Sequence, residues 1–381
     1  YKAIKAEAYA AADLAVTLWQ GGTPTGASAV VNNGTNDVPS VLLVPVETNA
    51  TNINETVIAD GFRSVEEICV GSVAAACAAA GVGDAVAGSG KIAVLLPDSA
   101  SSARWENDDR RFFEQAFAEA GLGSDDYLIL NAEGDAATMQ TQAEQAITDG
   151  ATVLLMVNLD SGSGAAIIDN ARSQGVSVID YDRLTIEGPG ADYYVSFDNV
   201  AVGATMGAAM EAELAGFDGV PNVMILDGGP TDNNATLFAQ GYMGFAQPHF
   251  DDGSWNLVAR QAVPDWDNVQ AQTIAEQILT AAGNDVDAAI VANDGMAGGV
   301  IAALQAQGIN GIPVTGQDAT VGGIQNILVG DQLMTVYKAI KAEAYAAADL
   351  AVTLWQGGTP TNASAVVNNG TNDVPSVLLV P

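Results

Sequence analysis

The chain has 381 residues, 49% of them hydrophobic, and its 12 basic side chains face 46 acidic ones for a net charge of -34. That length is ample for one large or two-lobed domain with a buried core. The charge makes binding to nucleic acid or to an anionic membrane surface electrostatically unfavourable. A strongly acidic exterior suits a salty or extracellular setting and equally serves plain solubility. No run reaches the roughly 18 apolar residues of a membrane helix. The start at Tyr1, with neither initiator methionine nor signal sequence, reads as a mature or excised portion.

In chain order, residues 2–19 carry apolar positions at helical spacing (Ile4, Ala8, Ala12, Leu14, Ala15, Leu18) and stop at Gly21-Gly22. A polar loop and a short strand, Ser40–Val44, follow. Residues 46–68 read as a tail with a small closing element, and residues 70–90, rich in Ala, Gly and Ser, as a linker. Cys69 and Cys77 are the only cysteines, and both a local disulfide and two unpaired thiols remain open. With His249 as the single histidine, no metal site is expected.

From Lys91 the pattern becomes a regular alternation of apolar strands and amphipathic helices. Strands are predicted at Ile92–Leu96, Tyr127–Leu130, Val153–Val157, Val176–Ile179, Val223–Leu226, Leu257–Arg260, Ala288–Val291 and Val314–Thr315. Between them lie helices such as 108–120, 136–148, 199–215, 268–282 and 297–307. Continuously apolar strands separated by helices mean parallel sheets covered on both faces, here two in succession.

Residues 1–45 return as residues 337–381 with one change, Gly26 against Asn362. A period of 336 residues is a domain, since solenoid units run to roughly 20–50 residues. Two copies of one segment cannot occupy one place in one domain. One is therefore expected to serve a neighbouring domain, in the same chain or another, with the contiguous copy, 337–381, filling its place beside 91–336. A circular permutant, with residues 1–69 completing the fold, is the other description.

In parallel sheets ligands sit beyond the carboxyl ends of the strands. Those exits carry Asp98, Asn158, Asp160, Asp180, Asp182 and Arg183 in the first half. The second half brings the run Asp227–Asn234, then Asn293-Asp294 and Gln317-Asp318. Such side chains hydrogen-bond vicinal hydroxyls in pairs, as a sugar or polyol requires, and Trp105 and Trp266 offer apolar faces for a ring. Each Asp or Asn singly also reads as a helix cap, and each Trp as core.

Phrases through residues 91–381 (SSARWENDDRRFF, VIDYDRL, YYVSFDNVAVG, DNNATLF, IVANDGMAGG, GQDATVGGI, MTVYK, NNGTNDVPSVLLVP) resemble the periplasmic sugar-binding proteins of the ribose/galactose type, most closely their xylose-binding branch in bacterial ABC transporters. The resemblance implies an α/β protein of the two-lobed periplasmic-binding-protein fold type I, two parallel doubly wound sheets joined by a hinge. It places one lobe at about 91–195 and 338–374, and the other at about 196–337 and 375–381. Residues 46–69 resemble the family's closing segment, so 1–69 reads as the end of a preceding or partner domain.

Carried over by the resemblance, the ligand set is Arg104, Trp105, Asp182, Arg183, Asp232, Asn234, Trp266, Asn293, Asp318 and Lys338, with Lys2 the equivalent of Lys338. The segment PDSASSARW is smaller and more polar than is usual there, which bears on the choice of sugar. No nucleophile elbow, P-loop or metal motif occurs. The expectation is a non-enzyme without cofactor that closes on a monosaccharide in an extracellular, cell-surface or periplasmic setting. Its partners would be an ABC permease and neighbouring copies of itself, and the alternative is a filament or surface-array subunit. Sequons stand at Asn33, Asn49, Asn54, Asn234, Asn362 and Asn369. All but Asn234 fall in loops of surface character.

Overall fold

Helix caps and apolar strand runs set the architecture seen in the computed structural model. It describes residues 2, 4–19, 22, 29–43, 45–50, 52–58, 62–82, 90–360 and 362–381. The chain divides into two units, residues 1–87 and 88–381.

In the first unit, helix α1 (Ile4–Trp19) precedes a hairpin of β1 (Ala29–Asn32) and β2 (Asp37–Ser40). The strand expected at Ser40–Val44 is therefore displaced, and Val44 lies outside the described residues. Two short helices, α2 (Val65–Ile68) and α3 (Ala74–Ala79), follow. Ser64 and Glu67 form a reciprocal capping box on α2. The expected linker is instead helical over Gly71–Ala79, and Cys77 on α3 is joined to Cys69. Residues 83–89 of that linker lie outside the described residues.

The second unit opens with β3 (Lys91–Leu96), α4 (Arg110–Glu119), β4 (Tyr127–Asn131), α5 (Ala136–Thr148), β5 (Ala151–Met156), α6 (Ser161–Ser173), β6 (Ser177–Tyr181) and β7 (Tyr193–Phe197). Its second lobe holds α7 (Asn199–Leu214), β8 (Asn222–Asp227), α8 (Asn233–Asp252), β9 (Asn256–Ala262), α9 (Asn268–Ala281), β10 (Ala288–Val291), α10 (Asp294–Ala306) and α11 (Val321–Val329). The chain then returns as α12 (Ile340–Trp355), β11 (Ala365–Asn368) and β12 (Asp373–Leu379).

The first sheet has seven strands in the order β11-β12-β7-β6-β5-β3-β4, parallel except for β11. Strand β3 shows why both faces are covered: Ile92, Val94 and Leu96 pack into one core with α4 and α12, and Ala93 and Leu95 into another with α5 and α6. The second sheet, β10-β8-β9, is parallel throughout. The short strand expected at Val314–Thr315 is a single bridge from Val314 to Ala289.

One lobe boundary differs from expectation. The resemblance places residues 375–381 in the second lobe, yet Ser376–Leu379 pair in register with Tyr194–Phe197 of β7 in the first sheet. The free edge of β7 takes this strand as its parallel neighbour, and only Leu379 reaches the second lobe's core.

The two copies of the repeated segment fold alike and are buried differently. Both form a 16-residue helix and a hairpin. Trp19 is 86% exposed where Trp355 is 8%, and Val38 is 40% exposed where Val374 is 1%. Strand β2 ends at Ser40, whereas β12 continues three residues further along β7. The contiguous copy, 337–381, thus completes the sheet that begins at Lys91.

Candidate functional site

Helix starts place the site. In both lobes a strand ends, the chain turns, and an Asp, Asn or Thr caps the next helix: Asp135, Asp160, Asp198, Asp232, Asp267, Asn293 and Thr320. Two of these caps keep a second function open. Asp232 accepts the Asn234 backbone N–H with Oδ1, leaving Oδ2 for the Trp266 indole N–H at 3.2 Å. Asn293 caps with Oδ1 and donates Nδ2 to the Ser101 carbonyl at 3.5 Å across the cleft.

All ten residues carried over by the resemblance line one pocket between the lobes. Arg104 and Trp105 come from the turn of π-helix that opens α4; such turns recur at functional sites. Asp182 and Arg183 follow β6, Asp232 and Asn234 open α8, Trp266 follows β9, Asn293 caps α10, Asp318 lies before α11, and Lys338 precedes α12. Ser101, Ser102, Phe238 and Gln317 complete the lining.

Other polar strand exits serve the fold. Asp180 is buried and binds the Thr185 backbone N–H and hydroxyl, Asn158 donates to the Arg183 carbonyl, and Asp227 pairs with Arg260. Asp160 only caps. Lys2 is exposed in the first unit. Of the sequons, Asn234 is buried as expected, but so is Asn369, which donates to the Thr185 and Glu187 carbonyls and so is no surface position.

The pocket floor is a buried charge network. Arg104 is bidentate on Asp109 (2.9 and 2.8 Å) and reaches Asp182 and Glu343 at 2.8 Å each. Its guanidinium also lies 4.3 Å over the Trp105 ring. Lys338 Nζ stands 3.1 Å from Asp318 and 3.9 Å from Asp182. Burial pushes the Asp182 carboxyl up, but Arg104, Lys338 and Arg183 together hold it below the usual carboxylate range. Burial dominates at Glu343, which Asp182 and Asp109 crowd further, and its carboxyl is pushed up to about 8. Asp109 and Glu343, on helix faces beneath the pocket, were not read from the sequence; they resemble ordinary surface charges there.

Three lining residues, Asp182, Trp266 and Asp318, hold a positive φ of 61°, 55° and 100°. Backbone strain of this kind concentrates where side chains are aimed at ligands. Trp266 is held against Gly228 and Gly229, whose absent Cβ atoms would lie 2.1 and 2.9 Å from the ring. The space left among the lining side chains is about 30 Å³, room for about two waters. A larger guest requires the lobes to part.

Two parallel-sheet lobes closing over a cleft of paired hydrogen-bonding groups and aromatic faces define a solute receptor of the hinged, two-lobed class. The chain belongs to the family of the periplasmic binding protein domain, whose model matches residues 92–359. It is 38% identical over 281 residues to the D-xylose-binding periplasmic protein of Escherichia coli, covering 73% of this chain and 82% of that one. It is 31% identical over 333 residues to the multiple sugar-binding periplasmic receptor ChvE of Rhizobium radiobacter, covering 81% and 93%. Among solved structures, the carbohydrate transporter solute binding protein of Chloroflexus aurantiacus in complex with D-glucose matches with a TM-score of 0.68 at 32% identity, covering 76% of this chain and 90% of that one. No helix among the described residues is long and apolar enough to cross a membrane.

Proposed function

We propose that the chain is a receptor for a neutral monosaccharide, a xylose-like aldopentose, held in the pocket between the lobes and passed in the periplasm or at the cell surface to an ABC permease. One observation carries the reading. Ser102 Oγ, Arg183 Nε, Gln317 Oε1 and Asp318 Oδ1 line the pocket, are buried, and lack a hydrogen-bond partner among the described residues. Arg183 and Asp318 keep ion-pair contacts, at 3.0 Å to Asp232 and 3.1 Å to Lys338, without hydrogen-bond alignment. Buried polar atoms are nearly always satisfied, so four in one cleft call for a hydroxyl-rich guest. The paired Asp, Asn and Arg groups and the Trp266 face suit such a ring, and the names of the relatives point the same way.

Titration calorimetry of the 381-residue chain with xylose, ribose, arabinose, glucose and galactose tests this. Binding of xylose is expected, and Asp318→Ala is expected to weaken it by about 2–4 kcal/mol, because Lys338 loses its partner. No heat with any of the five sugars would overturn the reading.

A second reading concerns the repeat. The exposed apolar residues Ile4, Trp19 and Val38 of the first copy have counterparts that are buried in the second, which argues that a body like residues 91–336 covers the first copy in a head-to-tail series of units. An array or filament of such units is the structural form of the same idea. The intact mass of the native polypeptide is the measurement: one well above 38.8 kDa, rising by steps of one 336-residue unit, is expected. A native polypeptide of a single unit would remove the idea.

A further inference from the structure

Beside the pocket lies a second, larger space. Its volume is about 340 Å³ against about 30 Å³ for the inner one, and Ser101, Arg183, Asp232 and Trp266 form walls of both. The two are neighbouring chambers of one cleft.

We propose that the outer chamber is a subsite for a second sugar ring, so that the receptor takes a neutral disaccharide with one ring inside and its glycosidic neighbour outside. The inference rests on the sugar reading of the inner pocket. The volume falls in the range of about 300–1,000 Å³ that small-molecule sites occupy. Both lobes build it: Glu133 and Leu159 come from the first, Asp265, Asn268 and Val269 from the second. A ring seated there is therefore gripped by the same closing movement as one in the inner pocket. Leu159 and the largely exposed Val269 supply apolar contact, and the carboxylates of Glu133 and Asp265 supply acceptors for hydroxyl donors.

The charge of the chamber narrows the class of ligand. Asp98, Glu133, Asp232, Asp265 and Asp267 face a single cation, Arg183. Asp98 is already engaged by the backbone N–H groups of Ala100 and Ser101, Glu133 accepts from the Ser99 hydroxyl, and Asp267 caps α9. The remaining acidity favours a neutral second ring and opposes a uronic acid.

The test is calorimetry of the full chain with xylose, β-1,4-xylobiose and an acidic disaccharide in which glucuronic acid is joined to xylose. Xylobiose is expected to bind at least as tightly as xylose, and the acidic disaccharide about tenfold more weakly than xylobiose. Val269→Trp, at an exposed position on the chamber rim, is expected to weaken xylobiose about tenfold and leave xylose unchanged. Xylose binding without xylobiose binding, or an equal effect of Val269→Trp on both, overturns the outer subsite alone. Silence with both sugars overturns the sugar reading and the subsite with it.

Discussion

Arg104→Ala is expected to destabilise the second unit by about 3–5 kcal/mol, the cost of leaving buried charges without their partner. Three carboxylates, Asp109, Asp182 and Glu343, converge on this guanidinium, and all four side chains are buried. With Arg104 removed, the nearest cation to Asp182 is Lys338 at 3.9 Å, which is already shared with Asp318. Among the described residues, Asp109 keeps the Tyr181 hydroxyl at 2.6 Å as its side-chain partner. Arg104→Lys is expected to recover little, because an ammonium group cannot reproduce the fork that spans Asp109, Asp182 and Glu343 at once. Urea unfolding of the three proteins measures this. A loss below about 1 kcal/mol for Arg104→Ala would mean that the carboxylates rearrange to water and that the network does not hold the pocket floor.

Glu343→Gln is expected to remove much of the protein's sensitivity to alkaline pH. Five buried carboxylates (Asp109, Asp182, Asp232, Asp318 and Glu343) face three cations (Arg104, Arg183 and Lys338), so the cluster is relieved by keeping a proton. Glu343 is where the proton resides, its carboxyl raised from 4.5 to about 8 chiefly by burial. The folded protein then holds a proton that the unfolded chain gives up near its ordinary value. The stabilisation is complete below about pH 4.5 and is lost as pH rises through about 8. Glutamine keeps the shape of the protonated acid and cannot ionise. Melting temperatures of the two proteins between pH 5 and 9 should diverge progressively, with the variant the more stable at the alkaline end. Burial raises Asp109 and Asp232 in the same direction, so a weaker slope remains in the variant. Parallel curves would place the proton elsewhere in the cluster.

The strand exits were legible because a parallel sheet exposes its ligands at one edge, and polar residues after apolar runs mark that edge. What could not be decided there was the choice between cap and ligand. The structure shows why at Asp232 and Asn293: one end of the side chain caps the helix while the other faces the cleft, so the question had no single answer. Glu343 was illegible for another reason. Its helix occurs twice with identical sequence, and Glu343 is buried against Arg104 only because α12 packs on the first sheet. Local sequence determines helix and hairpin in both copies, whereas burial depends on a partner surface more than two hundred residues away in the chain. The boundary at residues 375–381 belongs with this: the partner of β12 is β7, which periodicity did not single out. The state of the two cysteines was open on spacing alone, since a separation of eight permits a bridge without requiring one.

The contact between Arg183 and Asp232 has a bearing on how faithfully such a receptor reports. It joins the first lobe to the second directly, at 3.0 Å, and Asn234 reinforces it by donating to the Asp182 carbonyl and carboxylate. Bonds between the lobes stabilise the shut conformer whether or not solute is present. The observed dissociation constant equals the intrinsic one divided by the competent fraction, so a scarce shut conformer weakens capture and a common one strengthens it. The same population is also the background of shut receptor in the absence of solute. Cross-lobe contacts of this kind, the Lys338–Asp318 pair among them, thus set sensitivity against false alarm.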